Sequence, residues 1–118
     1  MILNIIYRLL ILPSGNLETT FAGSSVGYSS YPKFNTPEKL AYNLKKLGFD
    51  VLSTANNHCY DSGYDGIEST IGYLDDADIS HTGTFKSEEA QNSILIKLII
   101  IKEFALNMIM NVQLLITF

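Results

Sequence analysis

The chain has 118 residues, of which 47% are hydrophobic and 17% charged, and its formal net charge is −4. That length suits one domain able to bury a core. No basic run occurs and Lys and Arg do not interleave with aromatics, which excludes nucleic acid as a partner because phosphate binding needs clustered positive charge. The single cysteine, Cys59, rules out an internal disulfide.

The chain opens with MILNIIYRLLILPSG, which has the apolar centre of a signal peptide but no basic region ahead of it. Arg8 interrupts it and no small-residue cleavage site follows, so residues 2–12 read as a buried strand closed by a polar loop at Pro13-Ser14-Gly15. Residues 19–35 mix glycines, serines and aromatics with no sustained period, as in a long loop of functional interest.

The clearest helix follows. Thr36 suits its N-cap, Pro37 its first position and Glu38 the positive end of its dipole. Leu40, Leu44 and Leu47 make one apolar stripe, and Gly48 ends it. Residues 49–54, FDVLST, read as a short strand that releases the loop ANNHCYDSG. A second helix runs from about Tyr64 to Asp76, with Ile67, Ile71 and Leu74 on one face and Asp61 or Ser62 as its cap. Residues 77–83 then form another strand leading into a loop at His81. From Ile94 onward the chain is apolar but broken by Lys97, Lys102, Glu103, Asn107, Asn111 and Gln113. A membrane span needs about 20 largely uncharged residues, so no transmembrane segment is expected.

This β-α-β-α-β order predicts an α/β fold with a parallel sheet and crossover helices. Ligands of such sheets bind beyond the carboxyl ends of the strands. Three polar clusters fall there: Asn16 with Glu18, Asn56-Asn57-His58 with Asp61, and His81. Each has two readings. Asn and Asp favour turns because their side chains bond nearby main chain. Alternatively, carboxylate and amide oxygens suit Mn, Mg or Ca and imidazole suits Zn, Fe or Ni, which makes the same residues a metal site. Cys59 beside His58 is set aside as a nucleophile, since sequence neighbours rarely face each other. Asp61 reads most simply as a helix cap. No phosphate-cradling glycine loop of the Walker type occurs.

Taken in order, GNLE (15–18), the segment YPKFN (31–35) with its helix, ANNHCYDSG (55–63) and HTGT (81–84) resemble the bacterial capsule-synthesis CapA family, associated with poly-γ-glutamate. That family is similar in turn to the calcineurin-like metallophosphoesterases. The resemblance implies a partial metallophosphoesterase-like αββα sandwich and a divalent-metal centre of Mn, Zn or Fe at the strand ends. Two-metal centres of this kind hold ions about 3.5–4 Å apart. Carried over by motif, Glu18 would be the bridging carboxylate, Asn57 an amide ligand and His58 the general acid or charge stabiliser. Asn16, Asn56, Asp61 and His81 would surround the ligands or face substrate. Capsule or poly-γ-glutamate synthesis machinery would be the partners, and the cell envelope or an extracytoplasmic compartment the location.

The sequence also departs from the family pattern. Only 14 residues precede Gly15, and none is Asp, Glu or His, so the family's upstream Gly-Asp metal motif is missing. No histidine follows His81, where the family supplies more. Residues 1–91 therefore read as a partial CapA-like domain and 92–118 as a divergent Ile/Leu-rich tail, as in a truncated or frameshifted product. Whether this chain is itself an enzyme stays open. The alternatives are a non-catalytic binding or scaffold module and a non-functional gene remnant.

Overall fold

The structure, a computed structural model, describes residues 13–93 together with 102–104, 106, 107 and 110. Its elements are β1 (Ser14–Asn16), α1 (Lys39–Leu47), β2 (Val51–Ser53), α2 (Gly63–Asp76) and β3 (Ser80–Thr82). The strands form a parallel sheet in the order β1-β2-β3. Gly15 pairs with Leu52, and Leu52 with His81. Each helix is a crossover between neighbouring parallel strands, as the alternation predicts.

The strand expected over residues 2–12 lies outside the described residues. The described strand begins at Ser14, in the segment expected to be a polar loop. Polarity hid it: β1 is only Ser-Gly-Asn, with exposed ends. Gly15 leaves room for the Phe49 ring, which a Cβ there would meet at 3.1 Å.

Helix α1 also starts differently. Its N-cap is Glu38, with no side-chain cap bond. Thr36 cannot serve because its hydroxyl pairs with Thr19 Oγ1 at 2.7 Å and its N–H donates to the Thr20 carbonyl. The buried stripe centres on Ala41, flanked by Leu40 and Leu44, whereas Leu47 is 78% exposed. Gly48 turns the chain out as expected: at φ 104° its N–H returns to Leu44 and Lys45, and Phe49 N–H also reaches Leu44 O.

Helix α2 buries Gly66, Thr70, Ile71 and Leu74. Its end is turned into β3 by Asp78 at φ 58°, a left-handed position tolerated by Asp. Ile79 N–H there bonds Leu74 O at 2.9 Å. The core gathers Leu17, Phe21, Ala41, Leu52, Leu74, Ala77 and Ile79, with Leu40, Leu44, Phe49 and Tyr73 packed against it. Residues 88–93 are again helical. Among the described residues no helix is long and apolar enough to cross a membrane.

Candidate functional site

The loops leaving β1 and β2 are joined by one amide. Asn56 Nδ2 donates to the Leu17 carbonyl at 2.7 Å and to Asn16 Oδ1 at 3.1 Å, while its Oδ1 accepts the His58 N–H at 3.0 Å. Those three bonds define which way the amide points and use both of its hydrogens. Asn56 is thus a bracket that brings Asn16 beside the His58 turn. The β2 loop is held on its other side by Thr54, which bonds Thr82 O, Thr84 N–H and Thr84 Oγ1. Gly83, at φ 111°, lies so close that a Cβ there would meet Ala55 Cβ at 2.5 Å, so the two loops approach only because residue 83 is glycine.

His58 Nδ1 lies 2.7 Å from Asp61 Oδ2, and the two side chains are only 16% and 13% exposed. The same carboxylate oxygen accepts the Phe34 N–H at 2.8 Å. That N–H, followed by the bond and charge of His58 and the charge of Lys33, holds the Asp61 carboxyl below the usual carboxylate range, against a desolvation that raises it. An ionised carboxylate can only accept, so His58 Nδ1 carries the hydrogen and Nε2 is left as the working nitrogen. Neutral, Nε2 offers a lone pair to a metal or proton; charged, it offers a proton.

Asp61 is therefore not the cap of α2. The N-cap is Ser62, which makes no side-chain cap bond because its hydroxyl pairs with Thr20 Oγ1 at 2.9 Å. Glu18 and Asn57 are exposed on the same pair of loops, and their side chains take no hydrogen bond from the described residues. His81 sits elsewhere. It lies within β3 rather than in the loop beyond it, 6% exposed, and lines a cavity of about 210 Å³ with Ile71, Asp75, Lys86, Ala90 and Ser93. Burial holds its imidazole below the ordinary histidine value, with Lys86 adding to this and Asp75 and the Thr84 main chain opposing. None of the Asn16, Asn56, His58 and Asp61 group lines that cavity.

The structure thus joins Asn16, Asn56, His58 and Asp61 into one hydrogen-bonded network, with Glu18 and Asn57 free at its border. Phe34 and Thr20 also belong to this network, although nothing in their own chemistry marks them in the sequence. The only signal for Phe34 was its place in the YPKFN segment. As a donor set, one carboxylate, one amide oxygen and Nε2 suit a hard or borderline divalent cation. The set is short, because among the described residues no three His, Cys, Asp or Glu side chains converge.

Residues 12–110 match the protein family described as "Bacterial capsule synthesis protein PGA_cap". The matched stretch takes in much of the tail placed beyond the motifs above. Two proteins of Sinorhizobium fredii (strain NBRC 101917 / NGR234), the uncharacterized proteins y4sH and y4uA, are each 34% identical over 80 residues. The similarity covers 62% of this chain but only 17% of each relative. No solved structure matches the chain.

Proposed function

The chain belongs to the bacterial capsule synthesis protein family PGA_cap, and on that premise we propose that its strand-end face is part of a metal-assisted phosphoester-cleaving site of the calcineurin-like kind, serving capsule or poly-γ-glutamate synthesis at the cell envelope. The sheet would then be one portion of an αββα sandwich. The observation that carries this reading is the Asp61–His58 pair at 2.7 Å, which leaves one imidazole nitrogen with a defined role on the loops that also carry the exposed Glu18 and Asn57.

The parts divide as follows. Glu18 and Asn57 would hold a divalent ion through a carboxylate and an amide oxygen, with Mn, Zn or Fe as candidates. When bound, such an ion supplies charge neutralisation and acidifies water. His58 Nε2 would give a proton to the leaving oxygen, and Asp61 would stabilise the imidazolium. Asn56 would hold the loop carrying Asn57 and His58 against Leu17 and Asn16. The ligands missing from this face would come from outside the set described above, and the capsule-synthesis machinery would supply the partners.

Equilibrium dialysis of the full chain against Mn²⁺ or Zn²⁺, paired with hydrolysis of a chromogenic phosphodiester, tests the reading. Stoichiometric binding should weaken about tenfold or more in Glu18→Ala and Asn57→Ala, on the scale of lost ligand support. A folded chain that binds neither metal overturns the metal-site reading and favours a binding or scaffold module instead.

A further inference from the structure

The YPKFN segment has no role in the chemistry above, yet the structure ties it to His58 at several points. Phe34 is gripped through both of its main-chain polar groups. Its N–H donates to Asp61 Oδ2 at 2.8 Å and its carbonyl accepts the Thr20 hydroxyl at 2.7 Å. Thr20 has spent its one hydroxyl hydrogen there, so the 2.9 Å contact to Ser62 is donated by Ser62. Ser62 follows Asp61 in the chain, so Asp61, Phe34, Thr20 and Ser62 close a ring. The Phe34 ring stands edge-on to the His58 imidazole, with centroids 4.5 Å apart at 69°.

Asn35 anchors this arrangement from behind. It is 2% exposed, accepts the Ala22 N–H at 2.8 Å, and donates to the Gly23 and Gly27 carbonyls at 3.1 and 3.0 Å. Its main chain exchanges two 3.0 Å hydrogen bonds with Ser29. One buried amide therefore gathers the whole irregular loop behind Phe34.

We infer that Phe34 and Asn35 are positioning residues for His58: the 20–35 loop is a strap that fixes the Asp61 carboxylate and the imidazole ring in one orientation and so selects the Nδ1–H tautomer. A carboxylate with one partner can turn about its side-chain bonds; with the Phe34 N–H and the His58 Nδ1–H on one oxygen it cannot turn without losing both. The aromatic edge closes the remaining freedom of the imidazole. The inference rests on the proposed function in taking His58 as the residue that does chemistry, but its test does not use activity. If Phe34 and Asn35 only staple a loop, their loss lowers stability and leaves the tautomer unchanged.

The test is the nitrogen spectrum of the histidines in the ¹⁵N-labelled, chelator-treated full chain at mildly alkaline pH. The sequence has two histidines, and His58→Gln assigns them. The His58 signals should show a protonated Nδ1 and a bare Nε2. In Asn35→Ala and Phe34→Leu the Nε2–H fraction should rise several-fold, whereas Phe34→Tyr should keep the native pattern. Should Asn35→Ala fail to fold, Phe34→Leu, which keeps every main-chain bond of the strap, decides the matter. An unchanged Nδ1–H tautomer in a folded Phe34→Leu chain, or a native chain with Nε2–H, overturns the inference. Failure of the dialysis experiment would overturn the functional reading while leaving this comparison intact.

Discussion

The sheet with its two helices and the 20–35 loop are held by opposite means. Around the sheet, Leu17, Leu52, Leu74 and Ile79 are buried among other apolar side chains, so stability there comes from area removed from water. In the loop only Phe21 joins that core; the other buried residues, Thr20 and Asn35, are polar, and each bonds to main-chain groups many positions away. Apolar packing tolerates small shifts; directional bonds do not. The region that touches His58 is thus built from the more exacting kind of contact.

Substitutions can break or sharpen that contrast. Leu74→Ala, at a fully buried position, should cost about 3 kcal/mol of global stability in urea unfolding and leave the His58 tautomer native. Asn35→Ala leaves the Ala22 N–H and two carbonyls without partners and should cost about 2 kcal/mol. Its effect should be local, read as faster hydrogen exchange at Ala22 with the α2 amides still protected. Uniformly faster exchange would show that loop and sheet open as one unit and end the contrast.

Smaller effects are expected at the borders. His81 is buried with its pKa held below the ordinary histidine value of 6.5, so the unfolded chain takes up the proton first. Its contribution is therefore complete above pH 6.5 and is lost as pH falls below that value through the folded pKa. Urea midpoints measured on either side of pH 6.5 should differ in the native chain and converge in His81→Gln. The Asp61 carboxyl acts in the same direction at lower pH: its stabilisation is present above the ordinary aspartate value of 3.8 and is lost as pH falls further, through the folded pKa. Smallest of all, Glu18→Ala and Asn57→Ala should shift stability by less than about 0.5 kcal/mol, because both side chains are exposed and unbonded. A large loss there would mean that these residues hold structure rather than stand free for a ligand.

Much of the fold was legible because it follows from periodicity and stop signals. Leu40 and Leu44 with Gly48, and Ile71 with Leu74, mark both helices, and the alternation of elements leads to the parallel sheet. Strand β1 was not legible, because Ser-Gly-Asn looks like a turn until Phe49 is seen packing over Gly15. Of the cap residues only Ser62 takes the N-cap position, and no side-chain cap bond forms at either helix for a related reason. Thr36, Asp61 and Ser62 all have suitable side chains, but Thr19, Phe34 and Thr20 capture them from distant parts of the chain. At the site, sequence order brought Asn16, Asn56, His58 and Asp61 to one sheet end. Only coordinates distinguish the bonded Asn56 from the free Asn57 beside it. His81 shows the limit of that reasoning, since it lies inside β3 and lines a cavity with Ile71 and Asp75 of α2, apart from the loops at the sheet end.

The closed ring of Asp61, Phe34, Thr20 and Ser62 also bears on the order of assembly. Its three hydrogen bonds join residues separated by 14, 27 and 42 positions. No local segment can form it, and each closure loses chain entropy before the next contact offsets that loss. The imidazole should therefore reach its final setting late, after the helices have formed and the β1–β2 crossover has docked.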